Sequence, residues 1–399
     1  MWLFMKFKEL LGELTAQRRS RPNFAEMSPW ERSAVLAGKI VRTGPDVSRK
    51  KAEEVVEVLR EQSALASTMI GDIAKLEPAP SHRATYGDTL AGISVVDRAN
   101  WAMWAARGIG EIIGVTTTEP VEDEPEPSDL NSTVEMTAVL TFLSQRTLGQ
   151  FIPFTDDSVA SNATAALRPG HLVLVAPNIL ATQRAMAVDL KDFALWIALH
   201  EHTHALQFAT APWLTNYMRE QSDLLIRGFD SEASLIKWVR GIAATLRGQT
   251  SVIEYFLSEE QNVHLDNITA LMSVLEGHAD VIMDRVPREH LQSKRVLRRK
   301  LNARRVTLTR SKELLGRVAG IEAKTQQYLV GAQFVRSVIS ASSLERFNRV
   351  FDGPDFLPTV PELGDAAAWL KRTDALLGIN ARDTSSEDVS EETSTQGAE

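Results

Sequence analysis

The residues with the clearest chemical potential lie at positions 200 to 204, which read His-Glu-His-Thr-His. His200 and His204 are four residues apart, so on a helix they lie one turn apart on one face and could bind a single ion. Glu201 flanks that face and could reach a water molecule on the ion. The pattern predicts one zinc ion per chain, which lowers the pKa of its bound water to about 7, with Glu201 as general base. His202 points elsewhere on the helix, as a packing or surface histidine would.

A site with two histidines needs a third protein ligand. In metzincins the pattern continues with Gly and then His, but Gln207 and Thr210 occupy those positions here. The metzincin arrangement is therefore excluded. Gluzincins instead take a glutamate from a second helix, and the absence of cysteine leaves His, Asp and Glu as the strong metal ligands. If no metal is bound, the two histidines would be satisfied by ordinary hydrogen bonds.

A candidate third ligand lies in a helical segment, where Glu276, Asp280 and Asp284 are spaced four apart. Such an acidic stripe in an apolar helix needs positive charge beside it. We expect Glu276 to bind the metal and Asp280 to accept a hydrogen bond from the ring nitrogen of a ligand histidine. A salt bridge from the stripe to Arg285 or another arginine is the alternative. His278 is the rival third ligand, but it points about 160° away from Glu276 around the helix.

Apolar periodicity predicts a mainly helical chain. The helical segments are 28–42, 48–76, 97–113, 132–147 and most of the chain from 189 to about 350. The clearest strand is His171 to Val175, bounded by Pro169-Gly170 and Pro177-Asn178. A Pro-, Ser- and Gly-containing loop is predicted over 78–92. We expect an α+β protein in which helices predominate.

Composition and charge suggest three regions along the 399 residues. Residues 1–130 form an N-terminal helical region that ends in an acidic, Pro-rich loop at 117–129. Residues 131–380 form the catalytic domain. The tail, 381–399, is low-complexity and predicted to be disordered. It holds six of the 52 acidic residues and its last seventeen positions hold no basic one, so the rest of the chain is nearly neutral.

This near neutrality gives no reason to expect a nucleic acid partner. The basic stretch from Arg285 to Arg310 has no interleaved aromatic residues and is predicted to be a solvated helix face, with an anionic ligand or partner as the alternative. No uncharged apolar run is long enough to cross a bilayer, and charged residues interrupt the N-terminal apolar residues before a signal-peptide core forms. We expect a cytoplasmic location and no membrane partner.

The ordered set of segments resembles a bacterial family of zincin-like hydrolases and zinc-dependent metalloproteases. The matching segments are Val95 to Arg98 with Trp101, Leu148 to Phe151, Leu174 to Asn178, Phe193 to Phe208, Pro212 to Leu214, Glu276 to Asp280 with Met283 and Asp284, Gln327 and Tyr328 with Gly331, Phe334 and Val335, Leu357 to Thr359, and Ala368 to Leu370. The family is largely uncharacterised, and some members are linked to organisms that make a deazaflavin coenzyme.

The resemblance implies a zincin-like fold with extra helices and zinc held by His200, His204 and Glu276. Tyr328 lies in a matching segment and could stabilise an oxyanion, although a buried structural tyrosine fits equally well. The predicted function is a zinc hydrolase acting on an amide bond of a peptide or a small molecule. The alternative is an inert zinc-binding regulatory or scaffold protein, in which four protein ligands would surround the metal and no water would remain.

Overall fold

A computed structural model describes residues 27, 29–113, 127–153, 169–227, 257–303 and 322–378. Within these ranges the protein is an α+β fold in which helices predominate, as predicted. The acidic loop at 117–129 and the tail at 381–399 were predictions that fall wholly or mostly outside the described residues.

Helices alternate with three short strands in the described part of the chain. In chain order they are α1 (Pro29–Ile40), α2 (Arg49–Ala74), α3 (Pro80–Tyr86), β1 (Gly92–Val96), α4 (Arg98–Ile113), α5 (Pro127–Ser144), β2 (Gly149–Ile152), β3 (His171–Val175), α6 (Ala176–Met186), α7 (Leu190–Thr210), α8 (Trp213–Arg227), α9 (Glu259–Arg285), α10 (Glu322–Ala341), α11 (Leu344–Asn348) and α12 (Ala366–Leu377). Residues 294–303 include a further helical stretch.

The three strands form one small mixed sheet in the order β1-β3-β2. The central strand β3 pairs in parallel with β1, Gly92 opposite His171, and antiparallel with β2, Ile152 opposite the same residue. All five residues of β3 are buried. A strand that is buried on both faces has apolar residues at successive positions. This explains why β3 could be identified from the sequence.

The sheet separates two apolar cores. Leu172 and Leu174 face the larger core, which is built with α2, α7, α9 and α10. Val173 and Val175 face the smaller core, which is built with α1, α4 and α5. This division follows from the alternation of side chains along a strand. One face of the sheet therefore packs against the core that contains α7, and the smaller core covers the other face.

Helix α7 carries the His-Glu-His-Thr-His sequence and begins at a polar cap. The Asp189 carboxylate accepts a hydrogen bond from the backbone N–H of Asp192, which satisfies one of the free amides of the first turn. The helix packs against α2 and against strand β2. Helix α9 also begins at a capping box, formed by Ser258 and Gln261, and packs against α7 and α10.

The predicted helices at 28–42, 48–76, 97–113 and 132–147 are confirmed, with ends that differ by a few residues. The loop predicted over 78–92 is wrong in part, because Pro80 opens the short helix α3 at a position that favours proline. Strand β1 begins at Gly92, where that loop was expected to end. No helix in the described ranges is both long and apolar enough to span a bilayer.

The division into regions 1–130 and 131–380 stays a prediction. Strand β1 belongs to the first region and its partner β3 belongs to the second, so the two regions contribute to one sheet.

Candidate metal centre

Helix α7 presents His200 and His204 side by side. Their ring centroids are 4.9 Å apart and the rings are nearly perpendicular, with an interplanar angle of 87°. Both side chains are partly exposed, whereas the preceding turns of the helix, from Phe193 to Leu199, are buried. The apolar residues therefore fix the helix in the core, and its last turns bring the two imidazoles to an accessible place.

Helix α9 brings Glu276 to the same point. The Nε2 atom of His200 lies 3.5 Å from Glu276 Oε2, and the Nε2 atom of His204 lies 3.7 Å from Glu276 Oε1. One ligand atom from each of the three side chains lies within 4.8 Å of the others. Of the His, Asp, Glu and Cys residues in the described part of the chain, these three form the single such group.

The donor set and its spacing fit a zinc ion. Around a tetrahedral zinc with bonds of about 2.1 Å, ligand atoms lie about 3.4 Å apart, which is close to the two distances between imidazole and carboxylate. Two imidazole nitrogens and one carboxylate oxygen leave one position for water or substrate. The Glu276 side chain is 37% exposed, so the three ligand atoms meet near the protein surface.

Glu201 lies on α7 between the two histidines and is only 7% exposed. Burial raises the pKa of its carboxyl to about 7, against the opposing effects of nearby His204 and of a hydrogen bond from the Phe151 backbone. A carboxyl group with a pKa near neutrality can both take and return a proton at neutral pH. Glu201 is therefore a buried carboxyl group of raised pKa beside the two histidines.

Strand β2 makes room for Glu201 by having a glycine at its first residue. A Cβ atom on Gly149 would lie 2.7 Å from Glu201 Cγ and 2.9 Å from Glu201 Oε1, closer than non-bonded atoms approach. Any other residue there would push the carboxylate aside. Sequence reasoning missed this role of Gly149, although the segment around it belonged to the family resemblance.

His278 does not join the ligand group, and its ring is held elsewhere. Its Nδ1 lies 2.9 Å from the amide nitrogen of Gln207, and its ring stacks on Phe347 with centroids 5.5 Å apart. The residue is fully buried, and burial lowers the pKa of its imidazole to about 3. It faces away from Glu276 because the two are separated by about 160° around α9. Glu276, the preferred candidate, is the residue that meets the histidines.

Asp280 has other partners than those predicted. Its Oδ1 accepts a hydrogen bond from Arg298 at 2.6 Å, and its Oδ2 accepts one from Arg336 at 2.8 Å. The ring contact of His204 is instead made by Gln207, at 2.9 Å from Nδ1. The expectation that Asp280 supports a ligand histidine is not met at His204, because Asp280 lies a full turn beyond Glu276 and reaches the arginines. The alternative, a salt bridge to an arginine, holds for this residue.

His202 packs in the core, in agreement with the sequence. Its Nε2 lies 3.1 Å from the hydroxyl of Ser63 on α2, and burial lowers the pKa of the imidazole to about 4. It therefore remains neutral at physiological pH and ties α7 to α2.

Tyr328 is part of α10, but its side chain lies outside the described residues. Its suggested role in stabilising an oxyanion therefore stays a prediction.

The basic stretch is described as far as residue 303, and its expected solvation holds only in part. Arg295 and Arg299 are exposed. Arg298 is mostly buried, pairs with Asp284 at 2.6 Å and lies 5.1 Å from the ring centroid of Trp196 on α7. Arg298 is not solvated because the acidic stripe on α9 needs cations beside it and this residue supplies one.

Among solved structures, a protein from Chloroflexus aurantiacus, provisionally described as a hydrolase with a novel fold, is 25% identical with a TM-score of 0.56. The alignment covers 87% of this chain and 97% of that one. No curated protein matches the sequence. The sequence profile of the zincin-like metallopeptidase family matches residues 29–370, which is most of the chain. The protein belongs to the zincin-like metallopeptidase family.

Proposed function

We propose that this protein is a zinc-dependent hydrolase that cleaves an amide bond, most simply a peptide bond. The observation that carries the proposal is the convergence of His200 Nε2, His204 Nε2 and the Glu276 carboxylate on one point beside the buried Glu201. Membership of a metallopeptidase family and likeness to a protein described as a hydrolase support it.

In this proposal His200, His204 and Glu276 hold the metal. When bound, zinc supplies Lewis acidity, which polarises a carbonyl group and makes water more acidic. The three side chains orient it through two imidazole nitrogens and a carboxylate. They also leave an open position, as catalytic zinc sites do and structural sites do not.

Glu201 moves the proton. Its carboxylate takes a proton from the attacking water and later donates the same proton to the nitrogen of the leaving amine. Burial raises the pKa of this carboxyl above that of a solvated glutamate, which favours uptake of the proton. Gly149 keeps the carboxylate in place by leaving space beside it.

The substrate class follows from the same chemistry. A polarised carbonyl, an activated water and a proton donor for the leaving nitrogen together hydrolyse an amide. A peptide is the expected substrate for a member of this family. A small amide in cofactor metabolism would use the same residues, and it differs only in the walls of the cleft.

The test combines metal analysis with hydrolysis. Purified wild-type protein is expected to contain about one zinc per chain and to cleave components of an unbiased synthetic peptide mixture, followed by mass spectrometry. The His200→Ala and Glu276→Ala variants are expected to lose both properties, and a zinc chelator is expected to abolish cleavage by the wild type. An exposed histidine, His290, provides a matched control: His290→Ala should keep zinc and cleavage.

Two results would contradict the proposal in different ways. Wild-type protein without bound zinc after incubation with the metal would remove the site itself. Bound zinc with four protein ligands and no water, measured by X-ray absorption, would favour the inert zinc-binding protein instead.

A further inference from the structure

Behind the ligand histidines, a buried glutamine connects α7 to α9. Gln207 is one turn past His204 and is fully buried. Its Oε1 lies 2.9 Å from His204 Nδ1, and its Nε2 lies 3.0 Å from the backbone oxygen of Leu275 and 2.9 Å from His278 Nδ1. All of its hydrogen-bonding atoms are therefore engaged by fixed neighbours.

The backbone oxygen of Leu275 decides the direction of these hydrogen bonds. A carbonyl oxygen can only accept, so the end of the Gln207 amide that faces it must be the NH2 group. The amide oxygen then faces His204 Nδ1. Since that oxygen can only accept, His204 Nδ1 must carry a proton and donate it.

The proton on His204 Nδ1 determines what the other ring nitrogen can do. A neutral imidazole carries one proton, so a His204 ring that is protonated at Nδ1 has a free lone pair at Nε2. The Nε2 atom is the one that lies 3.7 Å from Glu276 Oε1. The nitrogen that faces the site is therefore the one able to bind a cation.

His278 completes the arrangement by accepting the second hydrogen of the Gln207 amide at Nδ1. The ring cannot turn freely, because Phe347 stacks on it and Phe351 meets it edge-on with centroids 5.4 Å apart. Within the described residues its Nε2 atom has no hydrogen-bond partner. Burying a polar atom without a partner costs free energy. The ring orientation that leaves Nε2 without a partner is the one that places Nδ1 against the Gln207 amide.

We propose that Gln207 and His278 are positioning residues that hold the proton of His204 on Nδ1 and so keep its Nε2 ready to bind the metal. This inference rests on the proposed zinc site, although its first test needs no metal. Neither residue is one of the three candidate ligands, and both act through His204.

The first measurement is the tautomer of His204 in metal-free protein, read from the ring nitrogen shifts in NMR spectra of protein labelled with nitrogen-15 in histidine. The wild type is expected to show a proton on Nδ1. In Gln207→Met, which keeps the side-chain length and removes both polar ends, the signal should move to a mixture or to Nε2–H. A wild-type ring protonated at Nε2, or a tautomer that Gln207→Met leaves unchanged, would overturn the proposal.

Gln183→Met is the matched control. The Gln183 side chain also donates to a backbone oxygen, that of Val188 at 2.6 Å, but it lies at the end of α6, outside the site. This variant should leave the His204 signals and the zinc affinity unchanged. A shift of the His204 signals in this control would show that the NMR change reports a general disturbance and would count against the proposal.

The second measurement is zinc affinity, from competition with a coloured chelator. Loss of a group that orients a ligand histidine typically weakens metal binding about 10–100-fold, which is the change expected for Gln207→Met. For His278, two variants separate hydrogen bonding from packing. His278→Asn keeps an acceptor near the position of Nδ1 and should retain most of the zinc affinity. His278→Leu removes the acceptor and should bind zinc more weakly. Equal affinity in the two His278 variants would overturn the role of that residue.

Failure of this inference and failure of the proposed function give different results. Suppose that the wild type binds no zinc, that His204 carries its proton on Nδ1, and that this proton is no longer on Nδ1 in Gln207→Met. The positioning role then stands and the hydrolase proposal fails. If zinc binds with the same affinity in wild type and in Gln207→Met, the positioning role fails while the hydrolase proposal remains.

Discussion

Three of the carboxylates on helix α9 are equally spaced and form a stripe, and the two ends of this stripe have different partners. At one end, which we call the imidazole end, Glu276 faces His200 and His204. At the other, the guanidinium end, Asp280 and Asp284 both pair with Arg298 and Arg336. At the guanidinium end, side chains of the protein itself supply the positive charge. At the imidazole end, the side chains offer ligand atoms, and a bound metal ion would supply the positive charge.

The comparison shows how a stripe of like charges on one helix face serves two purposes. Arginine is always protonated, so the guanidinium end holds its charge at any ordinary pH and provides stability. Neutral imidazoles offer lone pairs and no charge, so the imidazole end suits an ion that arrives from solution. Sequence spacing alone does not distinguish these ends, because the partners come from other helices.

The largest expected effect is at the imidazole end, in Glu201→Gln. Removal of a general base typically costs about 10²–10⁴-fold in turnover, and the variant should keep its zinc because Glu201 is not among the predicted ligands. The measurement is turnover on a peptide that the wild type cleaves, together with zinc content. Turnover within a few-fold of the wild type would exclude Glu201 from the mechanism.

A matched pair of variants compares the two ends directly. We expect Glu276→Gln to weaken zinc binding by more than about 100-fold, since it removes a ligand and loss of an outer group alone costs 10–100-fold. Asp280→Asn should keep the zinc and lose about 1–2 kcal/mol of unfolding free energy, a value reduced for the partial exposure of Arg336. Chelator competition and urea unfolding measure the two effects. If the variants behaved alike, the division of the stripe would be incorrect.

Gly149→Ala perturbs the imidazole end without touching a ligand. The added methyl group would meet Glu201 at 2.7 Å, so the carboxylate must shift. A displacement of about 1 Å can cost up to about 100-fold in rate, and we expect a 10- to 100-fold loss of turnover with unchanged zinc affinity. Gly87→Ala provides a control glycine with open space around it, although its positive φ of 63° will cost some stability. Zinc loss in Gly149→Ala would mean that the strand supports the ligands as well as the base.

The smallest expected effect concerns His202 on α7, which belongs to neither end of the stripe. The pKa of buried His202 is about 4 when folded and about 6.5 when unfolded, so the unfolded chain binds the proton more tightly. Stability is therefore unaffected above pH 6.5 and is lost as pH falls toward 4. His202→Gln can keep the contact to Ser63 and cannot titrate. Between pH 7.5 and pH 4.5, metal-free wild type should lose roughly 2 kcal/mol relative to this variant in urea unfolding.

The opposite result at His202 is easily recognised. If the unfolding free energies of wild type and variant run parallel over this range, the imidazole does not titrate differently in the two states, and its neutral, buried condition is refuted.

Much of the site was predictable because it depends on spacing within single helices. His200, Glu201 and His204 lie within about one turn of α7, and Glu276 was favoured because it begins an acidic stripe on a second helix, where gluzincins supply their glutamate. Long amphipathic helices were predictable for the same reason. Local periodicity carries this information without knowledge of the tertiary fold.

The parts that were missed depend on contacts between distant segments. Asp280 was assigned to a histidine because nothing in the sequence states that Arg298 and Arg336 lie beside it. Gln207 was used only to exclude the metzincin pattern, although it is buried between α7 and α9. Strands β1 and β2 have four or five residues and little alternation, so they were found only as segments of the family resemblance.

The crossing of α9 and α10 bears on how far the site can tolerate change. A Cβ atom on Gly277, next to Glu276, would lie 2.4 Å from the backbone carbon of Gly331 on α10. The two backbones thus touch where the third candidate ligand leaves its helix. A methyl group at either glycine would force the two helices apart and move the Glu276 carboxylate away from the two histidines. The methyl group itself would not contact the histidines. The spacing of the candidate metal centre therefore depends on two glycines, Gly277 and Gly331, that allow the helix backbones to touch.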